Sequence, residues 1–181
     1  VLEMNKHATQ AAFDRIENNL SGAKKRGKID SQQYENMVNH SLKLVTDYGK
    51  LSDMDLVIEA VFEEMAVKKR VFEELDRICK PGAILASNTS YLDINEIAAS
   101  TSRPADVLGL HFFSPAHVMK LLEVVVADAT APDVAATGFA LGKTLGKISV
   151  RAGVCDGFIG NRILSTYRAA ADHMILDGAS P

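Results

Sequence analysis

A regular alternation of short apolar runs and longer amphipathic segments constrains the fold of this sequence more than any other feature. The run Asp55-Leu-Val-Ile-Glu-Ala-Val61 is nearly continuous in apolar residues, which is typical of a strand buried on both faces of a sheet. Further strands are predicted at 83–86, 107–113, 121–126 and 148–151, and Val1–Glu3 has the character of a strand end. This order predicts an α/β fold, with a doubly wound, mostly parallel sheet covered by helices on both faces.

The amphipathic segments set the positions of the predicted helices. They cover residues 5–26, 31–44, 65–78, 93–99 and 132–146, and Asn5 is placed to cap the first of them. A last helical pattern runs from Gly157 to Gly178, after the final strand. We therefore predict an α/β domain over residues 1–153 and the start of a helical second domain over residues 154–181.

Net charge and cysteine usage exclude several classes of function. The formal net charge is −3, so the chain lacks the basic field that attracts nucleic acids or anionic membranes. No apolar run approaches membrane-spanning length. Cys79 and Cys155 are the only cysteines, which gives neither a disulfide framework nor a thiolate metal site. We expect a cytoplasmic protein with no bound metal, no nucleic-acid partner and no membrane association.

Polar residues follow several of the predicted strands. In a doubly wound sheet, ligands bind outside the carboxyl ends of the strands, and the polar ends here are Glu3, Glu63, the run Ser87-Asn88-Thr89-Ser90, and His111. Glu123 follows His111 by twelve residues, early in the next predicted strand. A carboxylate there can hydrogen-bond one imidazole nitrogen and leave the other to accept a proton. A satisfied core histidine and a solvent-facing acid are the alternative interpretation.

An acid at the end of the first strand bears on the choice of cofactor. Glu3 can accept hydrogen bonds from both ribose hydroxyls of an adenosine and would repel a 2'-phosphate, which favours NAD over NADP. Acids near a helix start are also ordinary capping residues, so both interpretations stay open. The Gly-x-Gly-x-x-Gly turn that binds a pyrophosphate does not occur in the sequence, and we expect it one strand before Val1.

Five stretches of the sequence resemble, in order, the L-3-hydroxyacyl-CoA dehydrogenases of fatty-acid β-oxidation. They are Asp55-Leu-Val-Ile-Glu-Ala-Val-Phe-Glu-Glu64, Leu85-Ala-Ser-Asn-Thr-Ser90, Gly109-Leu-His-Phe-Phe-Ser-Pro115, Met119-Lys-Leu-Leu-Glu-Val-Val125 and Asp156-Gly-Phe-Ile-Gly-Asn-Arg162. The resemblance covers essentially the whole chain. It implies a Rossmann-like nucleotide-binding domain that lacks its first β-α unit, followed by the first helix of an all-α C-terminal domain.

The same resemblance implies a reaction and a set of site residues. The reaction is the NAD-dependent oxidation of an L-3-hydroxyacyl-CoA to a 3-oxoacyl-CoA, with acyl-CoA as substrate and NAD as cofactor. His111 would remove the 3-hydroxyl proton, and Glu123 would orient and stabilise that histidine. Carried over position by position, the substrate-binding residues are Ser90, Ser114 and Asn161, and the cofactor-binding residues are Glu3, Glu63, Lys68 and Asn88.

The residues around Ser114 resemble the multifunctional members of the family, since many single-function members have Asn at this position. We therefore expect a parent protein in which an enoyl-CoA hydratase domain precedes the dehydrogenase. For the fragment alone we expect impaired NAD binding and self-association, because it lacks the first β-α unit. His117, in the loop beyond Pro115, is expected to have a surface role. A non-catalytic structural relative, and a dehydrogenase for hydroxy acids without CoA, are the alternatives.

Overall fold

The computed structural model describes residues 1–180 and divides the chain into two compact units, Val1–Ser52 and the part from Asp53 onward. Each unit is described by itself below. The predicted start of a helical domain at residue 154 stays a prediction. Among residues 1–180, no helix combines the length and the apolar character that crossing a membrane requires.

The first unit contains helices and one pair of short extended segments. Helix α1 spans Lys6–Lys25 and helix α2 spans Ser31–Asn36, and each begins at a side-chain cap. The carboxamide oxygen of Asn5 accepts a hydrogen bond from the backbone N–H of Ala8 at 2.9 Å, which confirms the predicted cap. Leu2 and Val45 form a parallel β-bridge, so the backbone preceding α1 is extended, as predicted.

Helix α2 is shorter than the predicted segment 31–44. Its α-helical part ends at Asn36, a π-helical turn follows over Met37–Ser41, and Leu42 is extended with φ −85° and ψ 115°. Beyond this point the chain pairs with the N-terminal segment, and the N–H of Val45 donates to the carbonyl of Val1 at 2.9 Å. Because this pairing requires extended backbone, the helix cannot continue through residue 44.

The second unit contains a five-stranded sheet whose strands neighbour one another in chain order. The strands are β1 (Leu56–Glu59), β2 (Ile84–Ser87), β3 (Val107–Phe112), β4 (Leu121–Val125) and β5 (Ile148–Ala152). Neighbours pair in parallel except β3 and β4, which are antiparallel. The predicted α/β class with a mostly parallel sheet is confirmed.

Helices cover both faces of this sheet. They are α3 (Met65–Ile78), α4 (Ile94–Ala98) and α5 (Pro132–Thr144), while α6 (Gly160–Leu176) follows β5. Successive strand residues point to opposite faces, so contacts of the neighbouring β3 residues Leu108 and Gly109 show on which face each helix lies. A Cβ added to Gly109 would lie 3.2 Å from Cδ1 of Ile94 in α4, and one added to Gly138 in α5 would lie 2.9 Å from Cδ1 of Leu108. Helices α4 and α5 therefore pack on opposite faces.

An aliphatic core fills the space between the sheet and α5. It consists of Ile84, Ala86, Leu108, Leu110, Leu122, Val124 and Val134. Full burial of one such branched side chain contributes about 1.5–3 kcal/mol. The glycine at position 138 allows the close approach of α5, because a Cβ there would enter the space that the leucine side chains occupy. The core therefore packs against the middle strands β3 and β4, and these strands carry His111 and Glu123.

Strand β1 is less buried than the sequence predicts. Ile58 is 40% exposed, and Leu56 and Val57 are half-buried. The strand pairs only with β2 and forms an edge of the five-stranded sheet. A strand with one neighbour leaves part of its apolar surface uncovered, so the prediction of a strand buried on both faces is wrong for β1 within this unit.

Arg103, in the segment before β3, forms hydrogen bonds with the end of helix α3. Its Nη2 donates to the carbonyls of Asp76 and Cys79 at 2.8 and 3.0 Å, and its Nε donates to the Asp76 carboxylate at 2.9 Å. Burial raises the pKa of Asp76, but hydrogen bonds from Ser102 and the charge of Arg103 outweigh it, and the net effect is a lowered pKa. The guanidinium therefore satisfies the last carbonyls of α3, which have no partner within the helix.

We expect Arg103→Met to lower the free energy of unfolding by about 2–3 kcal/mol, because it leaves the carbonyls of α3 without their donor and removes the cation from the Asp76 carboxylate, which keeps its hydrogen bonds from Ser102. Chemical denaturation measures this change. Arg77→Met is the matched control, since Arg77 pairs only with Glu74 on the surface and its side chain is 70% exposed. Equal unfolding midpoints for the two variants would contradict this account of the end of α3.

Candidate active site at the carboxyl end of β3

His111 and Glu123 face each other across the antiparallel pair β3 and β4. The sheet register places them directly opposite, and Nδ1 of His111 lies 2.7 Å from Oε2 of Glu123. Both residues are buried, with 3% of His111 and none of Glu123 exposed. A hydrogen bond to an ionised carboxylate requires the proton on Nδ1, and in that tautomer Nε2 is the nitrogen that can accept a proton. The interaction expected from the sequence is thus present in the fold.

The second oxygen of Glu123 binds the start of helix α6. Oε1 accepts hydrogen bonds from the backbone N–H groups of Ile159 and Gly160 at 3.1 and 2.7 Å. The first N–H groups of a helix have no partner within it, and the helix dipole favours a negative charge at this end. One carboxylate therefore joins the imidazole of His111 to the helix that carries Asn161.

Two phenylalanine rings enclose the imidazole of His111. The ring centroids of Phe113 and Phe158 lie 4.4 and 5.6 Å from that of His111. Phe158 has a φ of 48°, in the left-handed region, and a bulky residue in this conformation costs about 1–3 kcal/mol. Its side chain is 1% exposed, so packing against the histidine and its surroundings offsets this strain. The result is an imidazole with an apolar flank on two sides.

The loop after β2 approaches both β3 and α6. The side-chain oxygen of Asn88 accepts a hydrogen bond from the N–H of Phe112 at 2.8 Å, next to His111 in β3. Nδ2 of Asn161 donates to the carbonyl of Ser90 at 3.5 Å. Asn88, Ser90 and Asn161, which the sequence predicted as ligand-binding residues, thus lie around the end of β3. Their roles toward ligands stay predictions.

A cluster of buried charges lies at the carboxyl end of β1. Nζ of Lys68 donates to Oε1 of Glu59 at 2.7 Å and lies 3.4 Å from Oε2 of Glu63. Lys68 is 1% and Glu59 is 4% exposed. Sequence reasoning missed Glu59, although an acid inside the apolar run of β1 is itself a signal, because a buried carboxylate needs a partner.

Glu63 connects this cluster to the loop after β2. Its Oε1 accepts hydrogen bonds from the hydroxyl of Thr89 and from the N–H groups of Ser90 and Tyr91. Burial raises the pKa of Glu63, but these hydrogen bonds and the charge of Lys68 outweigh it, so the net pKa is lowered below the ordinary value. Glu63 is therefore held as a carboxylate by the groups that surround it.

Three further residues that the sequence singled out are Glu3, Ser114 and His117. Glu3 belongs to the first unit, where its N–H donates to the carbonyl of Val45 at 3.0 Å, and its role on an adenosine ribose stays a prediction. Ser114 and His117 are exposed in the connection between β3 and β4. Within residues 1–180, no group of three or more His, Cys, Asp or Glu side chains is placed to hold a metal ion.

Comparison with known protein families gives one family match. The profile described as 3-hydroxyacyl-CoA dehydrogenase, NAD binding domain, matches residues 1–155. The chain is 50% identical over 159 residues to a protein of Danio rerio named peroxisomal bifunctional enzyme, covering 88% of this chain and 21% of that protein. It is 38% identical over 179 residues to the glyoxysomal fatty acid beta-oxidation multifunctional protein MFP-a of Brassica napus, covering 99% of this chain and 25% of that protein.

The fold matches solved structures along nearly its whole length. The crystal structure of 3-hydroxybutyryl-CoA dehydrogenase from Escherichia coli K12 superposes with a TM-score of 0.95 at 38% identity. The match covers 99% of this chain and 38% of that one. The chain thus spans about a fifth to a quarter of the length of the two relatives named above.

The names of these relatives also correct one expectation from the sequence. The relatives from Danio rerio and Brassica napus are named as peroxisomal and glyoxysomal proteins. The prediction of a cytoplasmic protein is therefore wrong. Cysteine usage led to it, and two cysteines without a disulfide framework do not distinguish between compartments that lie inside the cell.

We expect Gly160→Ala to disturb the environment of His111. A Cβ at this position would lie 2.8 Å from Cζ of Phe113, so the ring must move away from the imidazole against which it packs. Such overpacking costs about 1–3 kcal/mol of stability, measured by chemical denaturation, and should shift the imidazole signals of His111 in NMR spectra. Gly153→Ala is the control, since nothing lies within 4 Å of a Cβ there. Identical His111 signals in both variants would contradict this packing.

Proposed function

The chain belongs to the 3-hydroxyacyl-CoA dehydrogenase family, in its NAD-binding domain, and from this membership we propose that it carries the catalytic residues for oxidising an L-3-hydroxyacyl-CoA to a 3-oxoacyl-CoA in fatty-acid β-oxidation. The observation that carries the proposal is the buried pair His111 and Glu123, 2.7 Å apart at the carboxyl end of β3. In an open α/β sheet this edge is where ligands bind.

His111 acts as the general base in this proposal. Its Nε2 accepts the proton of the 3-hydroxyl group, and bound NAD would supply the acceptor for the hydride that leaves C3. Glu123 fixes the tautomer by accepting from Nδ1 and stabilises the imidazolium once the proton has moved. A positioned base of this kind accelerates proton transfer by about a hundred- to ten-thousandfold. The rings of Phe113 and Phe158 exclude water from the flanks of the imidazole and so strengthen its attraction to Glu123.

Polar groups around the end of β3 orient the ligands. Ser90 and Asn161, joined by a hydrogen bond of 3.5 Å, are proposed to bind the substrate near the reacting carbon, and Ser114 is proposed to bind it from the exposed loop. Asn88 and Glu63 lie at the carboxyl ends of β2 and β1, and the Glu63 side chain is 39% exposed. This partly exposed polar edge fits a dinucleotide, and Glu3 is proposed to contact its adenosine ribose.

The complete protein is proposed to be multifunctional. The relatives from Danio rerio and Brassica napus are named bifunctional and multifunctional enzymes. We propose that an enoyl-CoA hydratase domain shares the polypeptide with the dehydrogenase, as the residues around Ser114 indicated. Residues 154–181 are proposed to begin a helical second domain. Helix α6 supports this, because Ile163, Tyr167 and Leu176 on it are 65%, 73% and 81% exposed.

The decisive experiment measures oxidation of NADH by acetoacetyl-CoA in the full-length protein. We expect His111→Gln to lower kcat by about a thousandfold, since no other group takes over the proton transfer. His117→Gln is the matched control, because His117 is an exposed histidine of the next loop, and it should retain wild-type turnover. Turnover of free acetoacetate in place of the CoA ester would favour a hydroxy-acid dehydrogenase. Absence of any turnover by the wild type would favour a structural relative.

The 181-residue chain alone is proposed to bind NAD weakly. Tight binding of the pyrophosphate requires the backbone N–H groups of a Gly-x-Gly-x-x-Gly turn, and this sequence contains no such turn. The partly exposed edge strand β1 also favours self-association. Calorimetric titration with NAD, together with analytical sedimentation, tests both expectations. A monomer that binds NAD tightly would contradict this proposal.

A further inference from the structure

The buried environment of Lys68 leaves its ammonium group little freedom to contact a ligand. The residue is 1% exposed, and Nζ lies 2.7 Å from Oε1 of Glu59. Removing one partner from such a buried ion pair leaves an uncompensated charge, which is strongly unfavourable. Lys68 therefore stays with Glu59, and any effect that it has on a reaction passes through the groups it touches.

Those groups hold the loop after β2 at both ends. Near the start of the loop, Oε2 of Glu59 accepts from the hydroxyl of Ser87 at 2.7 Å, and the carbonyl of Glu59 accepts from the N–H of Asn88 at 2.8 Å. At the other end, Glu63 accepts from the N–H groups of Ser90 and Tyr91 at 2.7 and 3.1 Å. Both carboxylates share the cation of Lys68, at 2.7 and 3.4 Å.

We propose that Glu59, Lys68 and Glu63 form a charged latch that positions the loop of residues 87–91, and with it Ser90, for the substrate. This inference rests on the proposed function, in which Ser90 binds the substrate beside Asn161. Glu59 and Lys68 are then positioning residues that act through Glu63. The role differs from the direct cofactor contact that the family resemblance implies for Lys68, because the buried lysine acts on binding of the acyl-CoA through Glu63 and the loop.

The hydroxyl of Thr89 links the latch to the turn that follows. It donates to Oε1 of Glu63 and accepts from the N–H of Leu92 at 2.9 Å. Thr89 is 1% exposed, so it offers almost no surface to substrate or cofactor. A change at this position therefore reports on the loop position alone. The lowered pKa of Glu63 agrees with this arrangement, since the donors of the loop favour its ionised form.

Steady-state kinetics of the full-length protein test the latch with three variants. Thr89→Val removes the hydroxyl, Thr89→Ser restores it, and the pair Glu59→Gln with Lys68→Met removes the charges together, which avoids an unpaired buried ion. We expect Thr89→Val to raise KM for acetoacetyl-CoA about tenfold, because a small displacement of an orienting group is costly. KM for NADH should stay unchanged in this variant, since Asn88 keeps its hydrogen bonds to Glu59 and Phe112. The double variant should raise KM for acetoacetyl-CoA to a similar extent. Thr89→Ser should behave as the wild type.

Lys69→Met is the matched control for the lysine change. Lys69 neighbours Lys68 on α3 but pairs with Glu96 at the surface, and its side chain is 34% exposed. This variant should leave both KM values unchanged. A rise in KM for NADH alone in the double variant would overturn the latch in favour of direct cofactor contact. Unchanged KM values in Thr89→Val would overturn it as well.

Amide hydrogen exchange separates failure of the latch from failure of the proposed function. Thr89→Val removes the hydroxyl that binds Glu63, so the amides of Ser90 and Tyr91 lose the Glu63 carboxylate as a fixed acceptor. These amides should therefore exchange about tenfold faster in Thr89→Val than in Thr89→Ser. If the wild type turns over no acetoacetyl-CoA, the proposed function fails and these exchange rates alone decide about the latch. Faster exchange in Thr89→Val supports it, and equal exchange overturns it.

Discussion

The Glu123 carboxylate is the interaction on which the arrangement of the site depends. Its two oxygens are used in different directions, one by Nδ1 of His111 and the other by the N–H groups that open helix α6. A neutral side chain of the same size would serve the helix less well, because the dipole at a helix start favours an anion. The charge that orients the imidazole therefore also fixes the helix from which Asn161 reaches Ser90. A single residue, Glu123, therefore determines both the orientation of the imidazole and the position of α6.

Antiparallel pairing of β3 with β4 makes this contact possible. In that orientation the start of β4 lies beside the carboxyl end of β3, so Glu123 stands opposite His111 at the edge where ligands bind. A parallel β4 would begin at the other edge of the sheet, and its third residue would lie about two residues, at about 3.3 Å each, from the histidine. The direct connection between the strands also enforces the choice, because a parallel return needs a crossover of about a dozen or more residues, usually through a helix.

The sequence determines the strands and most helices because their patterns are local. Helix α3 matches its predicted bounds, and the His111 and Glu123 pair follows from strand ends that can be recognised without a structure. Two features were not predictable in this way. The end of α2 depends on pairing between Val45 and the N-terminal segment, and the exposure of β1 depends on which strands neighbour it. Both are long-range properties that hydrophobic periodicity does not encode. Glu59 was missed although the sequence places an acid inside an apolar run, and its burial against Lys68 shows why that acid matters.

The two buried acids of the sheet, Glu59 and Glu123, have different electrostatic environments. Glu59 is neutralised by the ammonium group of Lys68, so that pair carries no net charge and can hold a loop without a change during a reaction cycle. Glu123 faces an imidazole, which in the proposed reaction takes up and releases a proton, so its partner would alternate between neutral and cationic. The hydrogen bonds from Ile159 and Gly160 compensate the carboxylate whenever the imidazole is neutral. A fixed ion pair therefore suits positioning, whereas a carboxylate with a second, permanent set of donors suits proton transfer, and the sheet places each at the end of a different strand.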